Sequence, residues 1–183
     1  SGGPAGAEPA LGLTEAMIRE LGIEYVVGGV HWPLYVPWER DAIIRDFHRQ
    51  NLFLATHPLV DIVAHPWWWH GHWKAPDRHY YQAEPWLDDF RKIPQSMHDE
   101  FAAAVREHGT AVEINPTAML FTTAYPDRFK EQYVEYLAGL KERGVTFSFG
   151  SDCHDADYAI DLEKSAAVLA RIGIRDEDLW RLP

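Results

Sequence analysis

Four short apolar runs, three of them with a His or Asp at or just beyond the end, constrain the fold of this chain more than any other feature. They cover residues 25–30, 61–64, 111–114 and 145–149. All are rich in β-branched residues and lack polar alternation, the pattern of strands covered on both faces. Helical segments separate them, at 14–21, 38–56, 94–108, 126–143 and 162–172. Thr14 is placed to cap the first. Pro94 and Pro126 open the third and fourth, and Gly109, Gly144 and Gly173 follow helix ends, the usual asymmetry of helix punctuation. A last short helix is expected near Asp176. Strands alternating with helices imply parallel βα units. Four such units make an open sheet or the later part of a (βα) barrel.

The chain of 183 residues is long enough for one domain with a substantial core. A single domain over 1–183 is expected, with residues 1–12, rich in Gly, Pro and Ala, as a flexible end. The stretch 67–89 lacks periodicity, and loops of that length usually carry function or disorder. No apolar run approaches the roughly 20 residues of a bilayer span. The start Ser1-Gly2-Gly3-Pro4 has no signal-peptide form. One cysteine excludes an internal disulfide and fits a reducing, cytoplasmic setting. The formal net charge of -11 argues against nucleic-acid or anionic-membrane partners. A phosphate substrate would need local cations, and metal ions are the obvious source. Ten histidines make position, rather than number, the thing to read.

In parallel α/β folds, function gathers at the carboxyl ends of the strands. His31 follows the first run, His65-Pro66 the second and Asn115-Pro116 the third. Gly150-Ser151-Asp152-Cys153-His154-Asp155 follows the fourth. Asp152 and His154 stand two apart, so an extended backbone projects both to one side. A single His after a strand is more often a hydrogen-bonded buried imidazole than a ligand. Convergence of His31 and His65 with Asp152 and His154 on one rim would raise the weight of the ligand reading considerably. Pro33 and Pro66 stiffen the chain beyond each His. The run from Trp67 to Trp73 (Trp67-Trp68-Trp69-His70-Gly71-His72-Trp73) overhangs the rim. Trp67 and Trp68 are candidate substrate contacts, with packing or an interface as the plainer role. Asn115 is a candidate donor to substrate. Glu113 either serves the site or satisfies buried backbone or His groups. Cys153 has no evident partner base, and buried packing is its expected role. No Gly-x-x-x-x-Gly-Lys loop or Gly-x-Ser-x-Gly elbow is present.

Tyr-Val-Val-Gly-Gly-Val-His (25–31), Asp-Ile-Val-Ala-His-Pro (61–66), Ala-Val-Glu-Ile-Asn (111–115) and Phe-Gly-Ser-Asp-Cys-His (149–154) occur in that order. Together they resemble the later motifs of the PHP (polymerase and histidinol phosphatase) superfamily. The resemblance implies a distorted (βα)7 TIM-like barrel holding two or three divalent metal ions. It implies hydrolysis of a small-molecule phosphate ester by metal-bound hydroxide. It implies metal ligation by His31, His65, Asp152 and His154, with His65, Asp152 and His154 at the reacting centre. Gly6-Ala7-Glu8 resembles the family's Gly-x-Glu motif and makes Glu8 a candidate bridging ligand. Zn, Mn or Fe suits a mixed His and carboxylate set. The family opens with a His-x-His strand, which this chain does not show before Glu8, so the barrel reads as incomplete at its N-terminus. His70-Gly71-His72 has that form in another place. Either the chain is a piece of a longer one, or a completing chain or a homo-oligomer supplies the rest. Two other functions remain open. One is an amidohydrolase-type hydrolase or decarboxylase. The other is a truncated, inactive PHP-like domain with a binding role.

Overall fold

The computed structural model describes residues 8–34, 36–37, 39–68, 72–74, 80–82, 87–123, 125–153 and 161–182. The elements run α1 (Glu15–Leu21), β1 (Val27–Gly29), α2 (Arg40–Thr56), β2 (Ile62–Ala64), β3 (His72–Lys74) and β4 (Tyr80–Gln82). A 3-10 turn (Phe90–Lys92), α3 (Gln95–His108), β5 (Ala111–Ile114) and a π turn (Thr117–Phe121) follow. The chain ends with α4 (Asp127–Glu142), β6 (Phe147–Phe149), α5 (Leu162–Ile172) and a 3-10 turn (Asp176–Asp178). All four expected strands are present, 111–114 in full and the other three shortened, and the helices fall where Pro and Gly punctuate the sequence. Gly22, Gly109 and Gly173 each adopt the left-handed conformation that terminates a helix, with φ of 63°, 71° and 79°. Thr14 caps α1 by accepting the Met17 amide.

β1, β2, β5 and β6 form one parallel sheet in that order. The order is monotonic, so right-handed crossovers put successive helices on the same face. Side chains confirm which face that is. Gly28, Val63, Val112 and Phe147 lie in one row across the sheet. At Gly28 a Cβ would come within 2.8 Å of Leu54 Cδ2 on α2, so the missing side chain is what lets the helix approach. Val63, Val112 and Phe147 are fully buried beneath the helices, together with Phe101, Phe129, Tyr133 and Leu137. Burying each such side chain contributes about 1.5–3 kcal/mol.

The opposite face is covered at the two central strands, as expected, where Ile62 and Ala111 are buried, and it opens toward the β1 edge. Its row continues from Gly29 and Ala64 to Glu113 and Ser148, small residues around one carboxylate. Val27, which shares that face, is 49% exposed. The helix-bearing face holds the larger part of the core, and the other carries buried Ile62, Ala64 and Ala111 beside the Glu113 carboxylate.

The sheet curls. Leu179 pairs with Phe147 on the outer edge of β6, and the Trp180 amide donates to the Phe147 carbonyl at 2.7 Å. The Trp180 ring then meets that of Tyr25, just before β1, at 5.6 Å between centres. Five rows spaced about 4.8 Å apart would separate these edges by about 19 Å in a flat sheet. That gap is too wide for the two rings to meet.

The stretch 67–89 also departs from a structureless loop. β3 and β4 pair as an antiparallel hairpin, and the excursion is anchored at its ends by buried Trp67 and Leu87. Of the expected flexible end at 1–12, residues 1–7 lie outside the described residues. Among the described residues, no helix is long and apolar enough to cross a membrane.

Candidate functional site

Because the four strands are parallel, their carboxyl ends share one rim, and the candidate residues follow those ends directly. His31 comes two residues after β1 and His65 immediately after β2. Their rings meet edge to face with centres 5.1 Å apart. Gly29 is the floor on which they converge. A Cβ there would lie 3.1 Å from His31 Cε1 and 3.2 Å from His65 Cε1. His65 is buried and His31 exposed, so the pair spans the boundary between protein and solvent. Trp68 covers both, with its ring centre 5.5 Å from each imidazole.

The backbone at this rim is unusual. His65, Trp67 and Asp152 are the non-glycine residues with positive φ among those described, at 27°, 67° and 52°. Such conformations are uncommon for residues with a Cβ and cluster at functional sites. At His65 the cause is a tight turn. The Trp68 amide donates to the His65 carbonyl at 2.9 Å, and buried Tyr133 donates its hydroxyl to the Pro66 carbonyl at 3.2 Å. At Asp152, buried Ser151 shapes the turn by accepting the Cys153 amide at 3.2 Å.

Glu113 lies beneath these turns. Its Oε2 accepts the His65 amide at 2.9 Å and the Asn115 side-chain amide at 3.3 Å. Burial pushes its pKa up, partly offset by those two hydrogen bonds, and the nearby Asp152 carboxylate pushes it further up. Of the two roles the sequence leaves open for Glu113, satisfying the buried amide of a His is the one these bonds display.

The other candidates separate. Asn115 is buried, and its Oδ1 accepts the Ala118 amide at 3.0 Å. Both ends of its side chain therefore serve the protein, which differs from the expected role of donor to substrate. Trp67 points into the core, stacked parallel to His48 at 6.3 Å and edge-on to His98 at 5.8 Å. It is packing, and Trp68 is the residue of this pair that faces the imidazoles. Glu8 is not brought to the rim. Its exposed carboxylate lies 3.5 Å from Arg49 on α2, at a groove lined by residues of α2 and α3. Cys153 is exposed instead of packed. His154, Trp69 and His70 lie outside the described residues, and His72 opens β3. A cavity of about 480 Å³ lined by Phe90, His98, Tyr136 and Arg143 lies on the helix side, apart from this rim.

The His31 and His65 ring centres stand at a separation that two imidazoles on one divalent cation would also show. Two imidazoles bound to one ion at about 2.0–2.1 Å place their ring centres about 4.5–5.2 Å apart, for right-angle to tetrahedral arrangements. Among the described residues, no group of three or more His, Cys, Asp or Glu is gathered closely enough to hold a metal ion. No protein-family model matches the chain, and no curated protein is significantly similar to it.

Proposed function

We propose that this rim is a divalent-metal centre that hydrolyses a small-molecule phosphate ester. The observation that carries the reading is the convergence of His31 and His65, from separate strands, at 5.1 Å over Gly29. The resemblance of the four strand-end motifs to the PHP superfamily supports it. So do the monotonic parallel sheet and its curl, which suit one wall of a (βα) TIM-like barrel. His31 and His65 would hold the cation through ring nitrogens. Asp152 would supply a carboxylate, and His154, two residues on, a further imidazole. Zn, Mn or Fe suits this set. Such cations, when bound, neutralise phosphate oxygens and acidify water.

The chain's own residues have three tasks at this site. Trp68 helps shield His65 from bulk water and offers an aromatic face to a ring-bearing ester. The turns at His65-Pro66 and Ser151-Asp152 hold donors still at strand ends, where small errors of position matter. The open side of His31 admits the substrate. A formal net charge of -11 repels an anionic ester from the surface at large, so binding is confined to wherever cations accumulate.

The test pairs metal analysis with turnover. The purified chain should take up Mn or Zn and hydrolyse p-nitrophenyl phosphate in preference to a p-nitroanilide amide. His65→Ala should lower turnover by about 100-fold or more, as loss of a group acting on reacting charge does. A preference for the amide would favour the amidohydrolase reading. A chain that takes up neither metal and cleaves neither compound would remove the enzymatic reading. The second reading, a binding role, is favoured by the outer edge of β1. That edge pairs with no strand among the described residues and leaves Val27 and Trp32 exposed.

A further inference from the structure

Glu113 has a position that ligand geometry alone does not require. A carboxylate on a buried strand is costly unless its oxygens are engaged. Here one oxygen accepts from the end of β2, through His65 N–H, and from the end of β5, through Asn115 Nδ2. The other rests against β6, where a Cβ at Gly150 would overlap Oε1. One side chain therefore spans three consecutive strand ends. It sits in a row whose other members, Gly29, Ala64 and Ser148, are small enough to leave it room.

The residue held most directly is His65. Its φ of 27° lies outside the regions an L residue prefers, and the proline after it further limits its alternatives. A strained backbone persists only when its surroundings over-determine it. Trp68 and Tyr133 fix the carbonyl side of this turn, and Glu113 fixes the amide side. Asn115 extends the hold by accepting the Ala118 amide at the π turn.

We propose that Glu113 is a positioning residue that clamps the His65 turn in the conformation that presents its imidazole to a cation. The proposal rests on the metal-centre reading of the rim. Glu113 acts through a hydrogen-bond-accepting oxygen, so its charge is dispensable and its shape is not.

Three variants test this: Glu113→Ala, Glu113→Gln and Gly150→Ala. Two readouts are needed: Mn or Zn affinity by calorimetry, and hydrogen exchange of the His65 amide by NMR. Glu113→Ala should weaken cation binding by about 10- to 100-fold, the usual effect of losing a group that orients a ligand. It should also speed exchange at His65. Glu113→Gln keeps an oxygen for His65 N–H and should match the wild type in both. Gly150→Ala pushes the intact carboxylate aside and should reproduce Glu113→Ala. If Glu113→Gln loses affinity as fully as Glu113→Ala, the charge is essential and the clamp is overturned. Unchanged exchange at His65 in Glu113→Ala and Gly150→Ala overturns it equally. If the wild type binds neither Mn nor Zn, the metal-centre reading fails by itself, while amide exchange still judges the clamp. Should Glu113→Ala not fold, Glu113→Gln and Gly150→Ala decide the matter.

Discussion

At His98 the surroundings of one imidazole set how the protein responds to acid. The ring is buried on α3, stacked on Phe90 at 5.2 Å and tilted against Tyr136 at 4.7 Å. Desolvation pulls its pKa down to about 4. Asp99 opposes this, whereas His48 and Arg143 add to it. The ring is neutral in the folded protein, whereas in the unfolded chain it takes up a proton near pH 6.5. Its contribution is therefore fully present above about pH 6.5 and is lost as pH falls toward 4. The shift corresponds to about 3 kcal/mol. Urea unfolding at pH 7 and pH 4.5 should show a loss of that order. His98→Phe, which keeps the stack and removes the proton site, should show a smaller one. Equal losses in both proteins would assign the acid sensitivity elsewhere.

Among the elements, α1 is the clearest case of local rules acting almost alone. It is seven residues long, buries none of its side chains, and depends on caps at Thr14 and Gly22. An isolated helix of that length is marginal in water. Thr14→Ala should cost about 1 kcal/mol, and the cost should stay local. Amide exchange in residues 15–21 should accelerate while the midpoint of global unfolding stays in place. A shift of the global midpoint would mean that α1 is packed more tightly than its exposure indicates. These same punctuation signals made the helices legible in the sequence, as β-branched runs did the four strands. The hairpin of β3 and β4 was not legible, since Trp-Trp-Trp-His-Gly-His-Trp carries neither period. The site was legible to the extent that strand ends identify it: His31, His65 and Asp152 follow three ends of one parallel sheet. Which way a neighbour turns is a different matter. Trp67 and Trp68 are identical in type, and only the left-handed turn at Trp67 sends one ring to the core and the other to the rim. Glu8 shows the limit of motif resemblance, because chain path took it to Arg49.

At the scale of the molecule, one aromatic contact joins the two edges of the sheet. Trp180 reaches Tyr25 at 5.6 Å, and its backbone is tied to Phe147. Trp180→Ala should destabilise the fold by about 2 kcal/mol, less than the loss of a fully buried aromatic because the ring is half-buried. In a double-mutant cycle with Tyr25→Ala, the pair should show a coupling of about 1 kcal/mol. Strict additivity would mean that the rings are neighbours without holding the curl.

The two buried ends of the hairpin excursion, Trp67 and Leu87, have a bearing on how such a protein can change. They work like bolts at either side of a removable panel. A different sequence spliced between them would leave the load-carrying timber of strands and helices as it was.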